Sequence, residues 1–150
     1  MQGTKHSETF YFSSIHHLER FQAALEATNK VWHDDWSKEN KIQEEYGAAL
    51  YVLTSSSGTW ERAKAYVLRS NGILFDELLA NEHWSGGYVS LIKLAGNLFN
   101  AGYTKCDPVD LVTGLDERNF NVAMTALRIR RRAWPLQHII DHADFETGEA

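Results

Sequence analysis

A single cysteine, Cys106, means that no disulfide can form within the chain, which points to a reducing, cytoplasmic setting. Only two prolines interrupt 150 residues, as suits a mainly helical protein, because proline breaks helix interiors. There is no excess of positive charge. The formal net charge is −5, so no global electrostatic drive towards nucleic acid exists. The opening MQGTKHSETF carries no apolar run of signal-peptide length. The most apolar stretch, Trp84 to Asn100, has 17 residues and includes Lys93, Asn97 and Asn100, too short and too polar for a membrane span. Internal repeats are absent. So are Gly-x-Ser-x-Gly, Walker and Rossmann patterns, and the residue after His138 is isoleucine, which excludes H-E-x-x-H. These gaps predict a protein that is not an enzyme, with no catalytic residues, no metal and no cofactor.

What the chain does have is a hydrophobic share of 43% and five tryptophans, enough to fill the core of one domain. The expected fold is all-α: one compact bundle of five to seven helices, with a short extended arm at Thr9 to Phe12. Residues 1–8 are expected to be disordered, 9–135 to form the helical domain, and 136–150 an acidic tail with a turn or two of helix. The Trp84–Asn100 stretch is apolar almost all round and reads as the central buried helix. Gly96 within it points to close approach of a neighbouring helix. Ser13 or Ser14 caps a first helix built on Ile15, Leu18, Phe21, Ala24 and Leu25. Thr28 to Trp36 reads as a long loop, with Ser37 capping a second helix. Asn71-Gly72 is a helix stop, and Asp107-Pro108 is a helix start. In the last helix, about Asp116 to Arg132, Phe120, Ala123, Met124 and Leu127 form the main stripe. Val122, Ala126, Ile129 and Ala133 form a second line. That line predicts a two-fold contact with another copy, the favoured reading, or cover by Leu136, Ile139 and Ile140 of a folded-back tail.

Certain charged and polar groups are candidates for chemistry. The run Arg128, Arg130, Arg131 and Arg132 can grip phosphate or carboxylate bidentately. It also suits a helix C-terminus, where the helix dipole favours cations. With Trp84 and Tyr88, the residues Arg128, Arg131 and Arg132 make the candidate ligand site, for a nucleotide or other small anion. His138 and His142 share a helix face at metal-ligand spacing, with Asp141 and Asp144 near in sequence, but no cysteine pair completes a structural site, and a polar face is expected. His33, Asp34 and Asp35 between Trp32 and Trp36 read as a solvated loop rather than an acid–base pair. Ser55 to Ser57 before Gly58 can make a small anion nest, although a flexible turn is preferred. His17 is expected to make a structural hydrogen bond.

The segments FYFSSIHHLERF, EEYGAALYVLTSSS, HWSGGYVSLIKLAGNLFNAG and LDERNFNVAMTALRIRRRAW, in this order, resemble a family of small helical bacterial proteins of unknown function. Its members are known chiefly from Firmicutes and their mobile elements. The resemblance covers about residues 9–134 and is carried by Phe12, Ser14, His17, Tyr46, Ala49, Leu50, Tyr51, Leu53, Trp84, Leu94, Ala95, Asn97, Leu98 and Asn100. It implies a helical fold, no particular activity, and an accessory role in a phage or plasmid. The functional expectation is a cytoplasmic, non-enzymatic binding or interaction protein, a homodimer or a protein that meets another protein. The alternative is a pocket protein that sequesters a nucleotide or similar anion.

Overall fold

The computed structural model describes residues 8–67 and 72–146. The disorder expected of residues 1–8 falls outside these apart from Glu8, whose Oε1 lies 3.3 Å from His138 Nε2, and the stop expected at Asn71 falls outside them too. Among the described residues the fold is predominantly helical, with eight α-helices and four short strands, so it is not purely all-α.

Strand β1 (Phe10–Phe12) buries both of its phenylalanines and leads into α1 (Ile15–Ala27). Ser14 caps α1, its oxygen accepting from the His17 N–H at 3.3 Å. Leu18, Phe21, Ala24 and Leu25 form the buried stripe, as their spacing predicts, but Ile15 is exposed. The chain then forms a hairpin, not the expected loop. Strands β2 (Val31–Asp34) and β3 (Glu39–Ile42) pair antiparallel, with Val31 opposite Ile42. The Asp34 carboxylate organises the turn: it accepts from the Trp36 N–H at 3.1 Å, the Ser37 hydroxyl at 3.1 Å and Lys41 Nζ at 2.9 Å. Ser37 therefore belongs to the hairpin tip, and Gln43 caps the next helix instead, accepting from the Tyr46 N–H at 2.8 Å.

That helix, α2 (Glu44–Leu53), is the centre of the fold. Every residue from Tyr46 to Leu53 is buried. It is followed by α3 (Ser57–Ala63), a 3-10 turn (Lys64–Tyr66), α4 (Phe75–Asn81) and α5 (Gly86–Phe99). Next come α6 (Pro108–Gly114), capped by Asp107 as predicted, and α7 (Glu117–Arg130), capped by Asp116. Helix α2 packs against α1, α3, α5 and α7. The expected central helix, α5, is thus one wall of the core, burying Leu91, Ile92, Leu94, Ala95, Gly96 and Leu98. Gly96 does admit a close neighbour, but it is a ring in the following loop. A Cβ built at Gly96 would lie 2.6 Å from Tyr103 Cε2.

Helix α7 turns the opposite way from the sequence expectation. Its buried residues are Asn119, Val122, Ala123, Thr125, Ala126 and Ile129, whereas Met124 and Leu127 are 40% and 39% exposed. The line expected to be an interface is the core face, because α2 covers it: Ile129 Cγ2 lies 3.5 Å from the Cβ position of Gly47. The dimer argument from Val122 and Ile129 therefore falls away.

The segment read as an acidic tail is built into the domain as far as residue 146. Helix α8 (Leu136–Asp141) buries Ile139, and β4 (Ala143–Phe145) pairs in parallel with β1, Phe10 opposite Ala143. No helix among the described residues is long and apolar enough to cross a membrane.

Candidate functional site

A cleft of about 440 Å³ opens where three elements begin or turn. Its lining is Ser13, Ser14, His16 and Arg20 from the start of α1, Ser55, Ser56 and Ser57 between α2 and α3, and Arg118 from the first turn of α7. All eight are serine, arginine or histidine.

The serines owe their positions to backbone bonds. Ser13 Oγ donates to the Ser55 carbonyl at 2.6 Å, which ties the two walls together. Ser55 Oγ donates to the Val52 carbonyl at 2.7 Å, and Ser56 caps α3 by accepting from the Thr59 N–H at 3.1 Å. Ser14 uses its oxygen as acceptor for the α1 cap, so its O–H remains a donor. Behind this wall His17 is buried, with Nδ1 accepting from the Ser13 N–H at 3.1 Å and Nε2 donating to the Tyr51 carbonyl at 2.8 Å. This is the structural hydrogen bond expected of it. Burial pushes its pKa down to about 3, against a smaller upward pull from the Tyr51 carbonyl. Both ring nitrogens are committed, so His17 is not a base for the neighbouring serines.

The cations come from opposite sides. Arg20 Nε donates to the Thr54 carbonyl at 2.9 Å. Partial burial lowers its pKa from the ordinary arginine value, a direction that still leaves an arginine charged at neutral pH. Arg118 shares a side-chain hydrogen bond with Tyr11. Burial and the Glu146 carboxylate push the Tyr11 hydroxyl far above the usual tyrosine range, while Arg118 pulls it down. His16 is exposed, and its Nδ1 lies 3.0 Å from Glu19 Oε1. Two guanidiniums and the Ser14 hydroxyl thus line a space beside the N-terminus of a 13-residue helix, the positive end of its dipole. Such a surface favours an oxyanion.

The residues proposed from sequence do not converge. Trp84 is buried just before α5, its Nε1 donating to the Leu78 carbonyl at 3.3 Å and its ring lying 5.3 Å from the Arg62 guanidinium. Tyr88 is half-buried in the first turns of α5. The arginines lie at the other end, where Arg130 Nε donates to the Leu98 carbonyl at 2.8 Å. Tyr88 and Leu98 lie about 15 Å apart along this helix, at 1.5 Å per residue. Arg132 stacks on Trp134 with its guanidinium 4.3 Å from the ring, and Arg128 and Arg131 are exposed.

The histidine candidates are likewise absorbed into local structure. His138 stacks on Trp134 at 5.4 Å and faces Glu8, and His142 Nδ1 donates to the His138 carbonyl at 2.8 Å. Among the described residues no group of three or more His, Cys, Asp or Glu is placed to hold a metal. His33 lies on the hairpin with Nδ1 3.0 Å from Asn40 Oδ1, and Asp34 is occupied by the turn.

Of the cleft residues, only Ser55 to Ser57 carried a local signal of anion binding. Arg20 and Arg118 are separated by about two thirds of the chain, and nothing local links them. No family model matches the chain, and no curated protein or solved structure matches it either.

Proposed function

We propose that the chain is a non-enzymatic binding protein that holds a phosphate-bearing small ligand in the cleft between Arg20 and Arg118. The observation that carries this reading is the lining: every residue is a hydroxyl or a basic group, and none is acidic. Arginine suits phosphate because its planar fork offers paired donors and its charge persists at all ordinary pH. No phenylalanine, tyrosine or tryptophan lines the cleft, so the recognised part is the phosphate group rather than a nucleotide base. This moves the anion-binding expectation away from Arg128, Arg131, Arg132, Trp84 and Tyr88. Ser14 and Ser57 serve as the hydroxyl donors to the ligand, since Ser13, Ser55 and Ser56 give their protons to the Ser55 carbonyl, the Val52 carbonyl and the Thr59 hydroxyl; none is a nucleophile, because the buried histidine behind them has no nitrogen to spare. An accessory role in a mobile element is what the sequence resemblance adds to the proposal.

Titration calorimetry with pyrophosphate tests it. The expected result is binding that weakens as salt rises, falls at least about tenfold in Arg118→Ala, as the loss of a charge-assisted contact does, and disappears in Ser57→Glu. No binding at low salt, or an affinity that neither variant lowers, contradicts it.

A further inference from the structure

Helix α7 leaves an apolar stripe uncovered on its outer side. Met124 and Leu127 are exposed and Phe120 is half-buried, in a helix whose opposite face is fully packed. On the 100° wheel Phe120, Met124, Leu127 and Arg131 fall within about 60° of one another, and Glu117 borders them. Along the helix the stripe therefore runs from an acid, through three apolar residues, to a base. Met124 sits at its midpoint, with Glu117 seven residues before it and Arg131 seven after. Phe120 and Arg128 lie four residues to either side.

We infer that this stripe is a self-association surface, on which α7 of a second copy lies antiparallel across a two-fold axis at Met124. Such an axis exchanges residues equidistant from Met124. Glu117 of each copy then meets Arg131 of the other, Phe120 meets Leu127 and the stem of Arg128, and the two methionines meet at the centre. A two-fold contact has to be self-complementary, and this one is so in both charge and apolarity. A parallel arrangement would oppose acid to acid and arginine to arginine. Met124 is an adaptable residue for such a centre, because its unbranched side chain fits irregular gaps. Charge pairs at the rim set orientation more than affinity, while the apolar centre supplies the affinity.

Analytical ultracentrifugation of the full chain over a concentration series tests the inference, with circular dichroism melts confirming that each variant is folded. The expected result is a dimer whose dissociation constant rises at least about tenfold in Met124→Glu, which sets one carboxylate from each copy against the other across the axis. Glu117→Arg and Arg131→Glu should each weaken it, and the double variant should restore it. Loss of helix-end charge complementarity is common to the single and double variants, so rescue reports the intermolecular pair. A monomer throughout overturns the inference, as does a dimer indifferent to Met124→Glu or a double variant no tighter than either single one.

Discussion

His17 Nε2 donates to the Tyr51 carbonyl at 2.8 Å, joining α1 to the last turn of α2 within the buried core. The same ring receives the Ser13 N–H and packs at 4.9 Å from Phe12 and 4.6 Å from Tyr51. The imidazole is therefore neutral, with its proton on the nitrogen that faces Tyr51. It fixes the backbone of the cleft wall.

This has a pH signature. The folded-state pKa of about 3 lies below the ordinary 6.5, so the unfolded chain binds the extra proton first as pH falls. The contribution of His17 is complete above pH 6.5 and is lost progressively between 6.5 and about 3, at roughly 1.4 kcal/mol per pH unit. Urea unfolding at several pH values should show this slope, and His17→Gln should flatten the slope while lowering stability at pH 7. Parallel pH curves for the two proteins would show that His17 does not titrate in this way.

Gly96→Ala separates two opposed effects. Alanine in an open helix position adds about 1 kcal/mol of stability. Here the new methyl group would stand 2.6 Å from the Tyr103 ring, so the ring has to move. The expected net result is a loss of about 1–3 kcal/mol, the usual size for overpacking. A gain in chemical denaturation would mean that Tyr103 does not pack there.

The two faces of α7 predict unequal costs. Ile129 is fully buried against α2, and Ile129→Ala should cost about 2–5 kcal/mol. Met124→Ala, at a 40% exposed position, should cost less than about 1 kcal/mol in the monomer. The reverse order in urea titrations at dilute protein would restore the Phe120–Met124–Leu127 face as the core.

Truncation after Pro135 removes α8 and β4. It takes away the fully buried Ile139 and the backbone partner of β1, whose Phe10 N–H donates to the His142 carbonyl at 2.9 Å. The shortened chain should melt well below the full chain or fail to fold. An unchanged melting temperature would make residues 136–146 an appendage.

Much of this architecture was legible in local pattern. Ser14, Asp107 and Asp116 cap helices where capping chemistry places them, and the α1 stripe Leu18, Phe21, Ala24 and Leu25 is buried as its spacing demands. The failures are non-local. The hairpin at Val31–Ile42 carries exposed and half-buried residues in both strands, so it shows no apolar alternation. Its register comes from Asp34 gathering three donors across the turn. Helix α7 offered two apolar lines of similar size. The buried face takes Val122, Ala126 and Ile129 of the second line together with Ala123 of the first, and it is the face of a helix that packs on α2. The parallel pairing of β1 with β4 joins opposite ends of the chain and has no local signature. The cleft has the same character: its serines are visible as caps, while Arg20 and Arg118 meet only through the packing of α1 and α7 around α2.

The central claim, a phosphate site between Arg20 and Arg118, is tested most directly by following backbone amides in ¹⁵N-resolved NMR as pyrophosphate is added. The expected result is saturable shifts centred on Ile15, His16, Ser57 and Arg118, lost in Ser57→Glu. Shifts centred on Arg128 to Arg132 instead, or no saturable shift anywhere, would contradict it.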